Sequence, residues 1–276
     1  MNFFSRLSLG FQIAKNSLKI LKENKQLVLF PVFSGIALVL LLASFVIPLL
    51  ASYDWDIELV PESFAGSNAP VLILFYLVSS FVVMFFNTAL IHCARLYFQG
   101  EKPTIAAGIK FSWSRIGVIL SWALFSATVG YILRLLQENL GFIGKIITSL
   151  VGVVWNLATF FVLPVIVYEK IGPIDAVKRS VQLMKQKWGE SLGMAFSFGL
   201  LRFIGGIIVA TVFFLLGYFI HPVLGIVLAG IALLTLITIL NAAETIFISA
   251  VYHNVTGDPV KQFNDQLVDS LFESKS

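Results

Sequence analysis

The stretch Leu27–Ala51, LVLFPVFSGIALVLLLASFVIPLLA, decides the fold. It carries no charge. A helix of that length rises about 37 Å, enough to cross a hydrocarbon layer ~30 Å thick. Backbone N–H and C=O groups find no water there, so the run is expected to satisfy them internally as an α-helix. A transmembrane β-strand would alternate apolar and polar side chains over about ten positions. Ala37-Leu38-Val39-Leu40-Leu41-Leu42 does not alternate.

Working outward, five more runs read the same way: Pro70–Ala94, Ile116–Leu133, Ile146–Tyr168, Ser191–Ile220 and Pro222–Val255. Each reaches the ~18 apolar residues that mark a membrane helix. Composition agrees. Charged residues make up 12% of the chain and hydrophobic ones 58%, against about 25% charged in a soluble domain. So few charges cannot coat a globule of this size in water. The expected fold class is all-α: a polytopic membrane bundle of six transmembrane helices over 27–255. An amphipathic arm (1–26) precedes it and an amphipathic tail (256–276) follows. The first 25 residues are polar and amphipathic, so no cleavable signal peptide is expected. The single cysteine, Cys93, lies in an apolar run and reads as a buried small residue.

Basic residues set the expected orientation. Sixteen lie on one side, in the arm, the second and fourth connections and the tail. Arg134 and Lys145 lie on the other, where the first loop carries Asp54, Asp56, Glu58 and Glu62. Both termini are therefore expected in the cytoplasm. The sequon Asn254-Val255-Thr256 falls on that same side and reads as chance.

Short amphipathic stretches flank the spans. In the arm, Phe4, Leu7, Phe11, Ala14, Leu18 and Leu21 step by three and four, with Arg6, Lys15, Lys19 and Lys22 between them. Ile174, Val177, Val181, Met184 and Trp188 repeat the step after Pro173. In the tail, Asp258 as N-cap and Pro259 lead to Val260, Phe263, Leu267 and Leu271. Such helices either lie among lipid headgroups or cap the mouth of the bundle, and the two are compatible.

Spans two, four and six share a further pattern. Asn87, Asn156 and Asn241 are each followed 11 or 12 residues later by Phe98, Tyr168 or Tyr252, then by Pro103, Pro173 or Pro259. Three related helical hairpins would produce it, as would coincidence in an apolar sequence. Pro164 is expected to kink span four and free the carbonyl of Phe160. Ala195 with Gly199, and Gly225 with Ala229, are four apart and suit close helix packing.

Ionisable residues inside spans are costly, roughly 2.5–3.5 kcal/mol each on insertion scales. Arg202 lies ~16 Å and Glu244 ~12 Å from the same face by helical rise. Adjacent antiparallel helices would let them pair. With Asn87, Asn156 and Asn241 at ~12–18 Å, they form a candidate intramembrane polar layer. It either fixes helix register through hydrogen bonds or lines a cavity for an ion, proton or polar substrate.

Convergent catalytic chemistry is not readable. His92, His221 and His253 are scattered, and no H-E-x-x-H, C-x-x-C, G-x-S-x-G or Walker-type loop occurs. No catalytic residue, metal site or cofactor is expected. The net charge of +4 is accounted for by orientation and headgroups, so nucleic acid is not expected as a partner.

Ser121–Gly130 (SWALFSATVG), Gly152–Asn156 with Phe160–Pro164, and Tyr168–Ser180 with Trp188-Gly189-Glu190 resemble signatures of an uncharacterised prokaryotic membrane-protein family, a domain of unknown function. The likeness runs over most of the chain, Asn24 to Pro31 included. The Tyr168–Ser180 segment also resembles, locally, the membrane domain of some glycerophosphodiester phosphodiesterases. No phosphodiesterase domain accompanies it. The family resemblance implies a polytopic protein of the prokaryotic inner (plasma) membrane and no assigned activity. The leading expectation is a non-enzymatic scaffold, assembly factor or lipid-interacting protein. Membrane lipid would be its partner, and a protein or a second copy of the chain could be another. The alternative is a small transporter or channel using the polar layer.

Overall fold

A computed structural model describes residues 3–56, 69–139, 141–186 and 188–256. The expected tail helix from Asp258 onward, Glu58, Glu62 and Lys187 lie outside the described residues, as do the side chains of Phe4, Leu7, Lys145, Trp188 and Ala195. The described residues are helical throughout, with short turns and no strand. In chain order the helices are α1 (Phe3–Glu23), α2 (Gln26–Ser52), α3 (Ala69–Phe98), α4 (Ile105–Ser114) and α5 (Ile116–Asn139). They continue as α6 (Gly141–Ala158), α7 (Val162–Glu169), α8 (Pro173–Gln186), α9 (Trp188–Phe219) and α10 (Pro222–Val255).

Six stretches are long and apolar enough to cross a membrane: Gln26–Ser52, Ala69–Phe98, Ile116–Gln137, Thr148–Glu169, Phe198–Phe219 and Pro222–His253. Their mid-helix residues face outward. Leu40, Val154, Phe214 and Ile226 are 65–73% exposed, a surface that water would penalise and lipid does not. The chain is a multi-pass membrane protein.

Two compact units make up the chain. The first comprises Met1–Pro31, Leu90–Gly108 and Gln182–Ser276. Its frame is the α9–α10 hairpin, with α1 packed against both helices. Ala14, Ser17, Ile20 and Leu21 of α1 are buried, whereas Lys15, Lys19 and Lys22 are exposed. Leu27 and Phe30, at the start of the first apolar run, are fully buried. The end of α3 supplies Leu90, Ile91, Cys93 and Ala94, and α10 supplies Ala243, Ile246 and Phe247, which meets Phe198 at 6.1 Å between ring centroids. Cys93 is buried as expected, its thiol donating to the Thr104 carbonyl at 3.4 Å. Tyr97 donates its hydroxyl to Glu23 at 2.6 Å, tying the end of α3 to the end of α1.

The second unit comprises Val32–Ala89 and Ile109–Val181. Here span four is broken. The chain leaves helical geometry at Thr159-Phe160-Phe161, between α6 and α7. Pro164 explains the site, since it has no N–H for the carbonyl of Phe160 and its ring crowds that turn. The Phe161 N–H finds the hydroxyl of Ser180 at 2.9 Å. The expected stripe on α8 holds at Met184, which is 2% exposed, and fails at its start. Ala176 and Ser180 are fully buried, while Ile174 is 59% exposed. The need to satisfy Phe161 turns the serine inward in place of an all-apolar face. Lys170 closes α7 in the left-handed region, at φ 55°. In the turn before α5, Arg115 lies over the Phe111 ring, 4.9 Å from its centroid, and burial lowers its guanidinium from its usual pKa.

Candidate functional site

Arg202, Asn241 and Glu244 converge in the first unit. Asn241 and Glu244 are three positions apart, so both face one side of α10, one turn apart. Arg202 reaches them from the antiparallel α9. Its Nη2 donates to Asn241 Oδ1 at 2.7 Å and to the Glu244 carboxylate. The Arg202 side chain is 34% exposed and that of Glu244 22%. A cation held by a carboxylate and an amide is already neutralised, so the cluster fixes α9 against α10 more readily than it captures a second charge.

The other two predicted residues lie in the second unit. Asn87 lines a cavity. Asn156 is exposed on α6 and joins neither the cluster nor the cavity.

The Asn87 cavity, about 460 Å³, is a feature that sequence reasoning missed; its lining is mostly apolar, with Leu38, Val83, Met84 and Leu163 among it, and carries a few polar side chains. Ser79 and Ser80 reach it from α3, Ser126 and Trp122 from α5, and Thr159 from the break in span four. Ser80 and Ser126 share a hydrogen bond at 2.5 Å. The Ser79 hydroxyl is buried and has no protein partner. Among the described lining residues none is charged. A second cavity, also about 460 Å³, is lined by Gly130, Arg134 and Gln137 of α5 with Thr148 and Ser149 of α6. Tyr76 of α3 lines both.

The helical period sets the two cavities along the same stripes. Ser126, Gly130 and Arg134 are four apart and share a stripe of α5 with Gln137; Tyr76, Ser80 and Asn87 fall on one side of α3. From Trp122 to Gln137 the stripe climbs about 22 Å. The signal was present in sequence as that stripe, but Arg134 reads as lying beyond the span until α5 is seen to continue to Asn139.

A third cavity, about 390 Å³, opens between α9 and α10 and is apolar, lined by Phe213, Phe214, Tyr218, Ile226 and Leu233 among others. At its wall the backbones of Gly217 and Gly225 nearly touch. Among the described residues no three His, Cys, Asp or Glu side chains gather in a group that could hold a metal ion.

A family of unknown function, DUF6159, matches residues 67–261. The chain belongs to this family. The Arg202 cluster lies inside the matched segment, as do the lining residues of the two serine-bearing cavities except Leu38; α1 lies outside it. Nothing found supports the weaker likeness to the glycerophosphodiester phosphodiesterase membrane domain. No curated protein shows a significant match to the chain.

Proposed function

We propose that this chain is a non-enzymatic, lipid-interacting membrane protein that serves as a scaffold in the prokaryotic inner membrane, with both termini in the cytoplasm. The supporting observation is α1. Its buried face is held against α9 and α10, and Glu23 is anchored by Tyr97. Lys15, Lys19 and Lys22 lie in a row on the exposed face, with Lys19 3.9 Å from the Glu23 carboxylate. Fixed cations at the end of a membrane bundle suit anionic headgroups, each worth about 1 kcal/mol near a charged leaflet. The amphipathic arm then acts as a docked interfacial helix. The test is lipid retention. Purified from a phosphatidylglycerol-containing membrane, the full chain should hold that lipid above its bulk fraction. The triple substitution Lys15→Glu, Lys19→Glu, Lys22→Glu should abolish the enrichment. A wild-type chain with bulk lipid composition would refute the reading.

A second reading, a small transporter or channel, is favoured by the cavity at Ser80, Asn87, Ser126 and Thr159. On this reading the working polar groups are those of the second unit, and the Arg202 cluster is structural.

A further inference from the structure

We infer that the cavity between α5, α6 and Tyr76 of α3 seats the phosphate of a phospholipid from the leaflet opposite the arm. The inference rests on the lipid-interacting reading above and extends it to a second site, which does not use the α1 lysines. Three observations carry it.

The first is the donor set. Arg134 and Gln137 of α5, Thr148 and Ser149 of α6 and the Tyr76 phenol line about 460 Å³, and no described lining residue is acidic. The Tyr76 hydroxyl, the Gln137 amide and the Ser149 hydroxyl have no hydrogen-bond partner among the described residues. Gln137 and Ser149 are exposed, so a ligand reaches them. Arg134 already engages a neighbour in the protein. A guanidinium carries N–H donors for more than one partner, and its planar fork matches a pair of phosphate oxygens.

The second is depth. Ile116 opens the third span, and Arg134 follows it by a helical rise of ~27 Å, Gln137 by ~31 Å. The hydrocarbon layer is ~30 Å thick, so these donors stand at its far boundary, where lipid phosphates lie.

The third is room beside lipid. Gly130 lies one turn before Arg134 on the same side of α5, and a Cβ there would meet nothing within 4 Å. Ile132 and Leu136 of α5 and Ile146 and Leu150 of α6 are exposed on the two helices that carry the donors. A headgroup seated on Arg134 therefore has acyl-compatible surface next to it, which a soluble anion would leave unused.

Native mass spectrometry of the detergent-purified full chain tests this. The background is Lys15→Glu, Lys19→Glu, Lys22→Glu, which removes the α1 cations. Titrated with dioleoyl phosphatidylglycerol, it should still bind the lipid saturably. Arg134→Gln should weaken that binding about tenfold or more, the loss expected for a charge-assisted fork. Gly130→Leu keeps every donor and fills the space beside them; it should weaken binding as much, and it keeps the test valid if Arg134→Gln misfolds. Dioleoylglycerol, with the same tails and no phosphate, should not bind, and inorganic phosphate should not displace the lipid. Wild-type binding by Gly130→Leu or by a folded Arg134→Gln would overturn the inference, as would equal binding of dioleoylglycerol. Displacement by inorganic phosphate would assign the cavity to a soluble anion and overturn the lipid assignment. Lipid enrichment by the wild type with none bound to the triple-lysine variant would leave the α1 reading standing and sink this one.

Discussion

Gly217 and Gly225 pack backbone to backbone across the α9–α10 hairpin: a Cβ built on Gly225 would stand 2.5 Å from the Cα of Gly217. Each glycine is four residues from His221, so equal steps from the turn bring them level. The same Cβ would lie 2.8 Å from the Phe213 carbonyl oxygen. These neighbours are backbone atoms and cannot rotate away. Without a hydrophobic drive between helices in lipid, such close approach supplies much of the packing.

Gly225→Val should therefore push the hairpin apart and destabilise the chain by about 1–3 kcal/mol, the usual range for overpacking. Gly230→Ala is the control, because its Cβ would meet nothing within 4 Å. It should be neutral or slightly stabilising. Thermal unfolding in detergent reads both. A Gly225→Val chain melting with the wild type would show that the hairpin does not depend on this contact.

The Ser180 hydroxyl is the partner of the Phe161 N–H at the break in span four. Ser180→Ala leaves that buried donor unsatisfied, at a cost of about 1–3 kcal/mol. Ser180→Thr keeps the acceptor and should lose less. Hydrogen exchange at Phe161 should accelerate in the alanine variant and stay near wild type in the threonine variant. Equal exchange in all three would separate the bond from the stability of the break.

How much of this could be read from sequence depended on how rare each signal is. Leu27–Ala51 was legible because uncharged runs of that length have one physical home. Arg202 and Glu244 stood out because ionisable groups inside such runs demand a partner, and the structure places them together. Ser80, Ser126 and Gly130 did not stand out. Serine and glycine are common in membrane helices and usually mean packing, and only the pairing of α3 with α5 turns their stripes toward each other. Gly225 was noticed, but with Ala229 on its own helix; its close neighbour Gly217 follows from the hairpin turn. Asn156 shared a spacing with Asn87 and Asn241, yet a repeat in sequence did not give it the same surroundings. The inward turn of Ser180 depends on a donor 19 residues away.

The proposed orientation makes a separate prediction. Arg95, at the end of α3, and Arg179, on α8, belong to connections rich in cations, and the loop after Asp54 is acidic. Alkaline phosphatase inserted after Asp56 should be active, since it folds outside the cytoplasm. The same reporter after Gly100 should be silent. The opposite pattern would overturn the assignment of both termini to the cytoplasm.

The pairing of Arg202 with Glu244 implies an asymmetry between its two deletions. A carboxyl group stripped of its partner can shed its charge by taking up a proton; a guanidinium cannot. Arg202→Leu should thus cost less than Glu244→Leu, which strands a permanent cation inside a span with Asn241 as its remaining neighbour. The penalty for the stranded cation should approach the ~2.5–3.5 kcal/mol of an unpaired charge in a membrane helix. The double substitution removes both charges and should recover most of the loss, because a buried ion pair is often replaceable by well-packed apolar side chains. Unfolding midpoints should then rank wild type and double variant above Arg202→Leu, and Arg202→Leu above Glu244→Leu. A double variant no more stable than Glu244→Leu would mean that the two side chains matter for something other than each other.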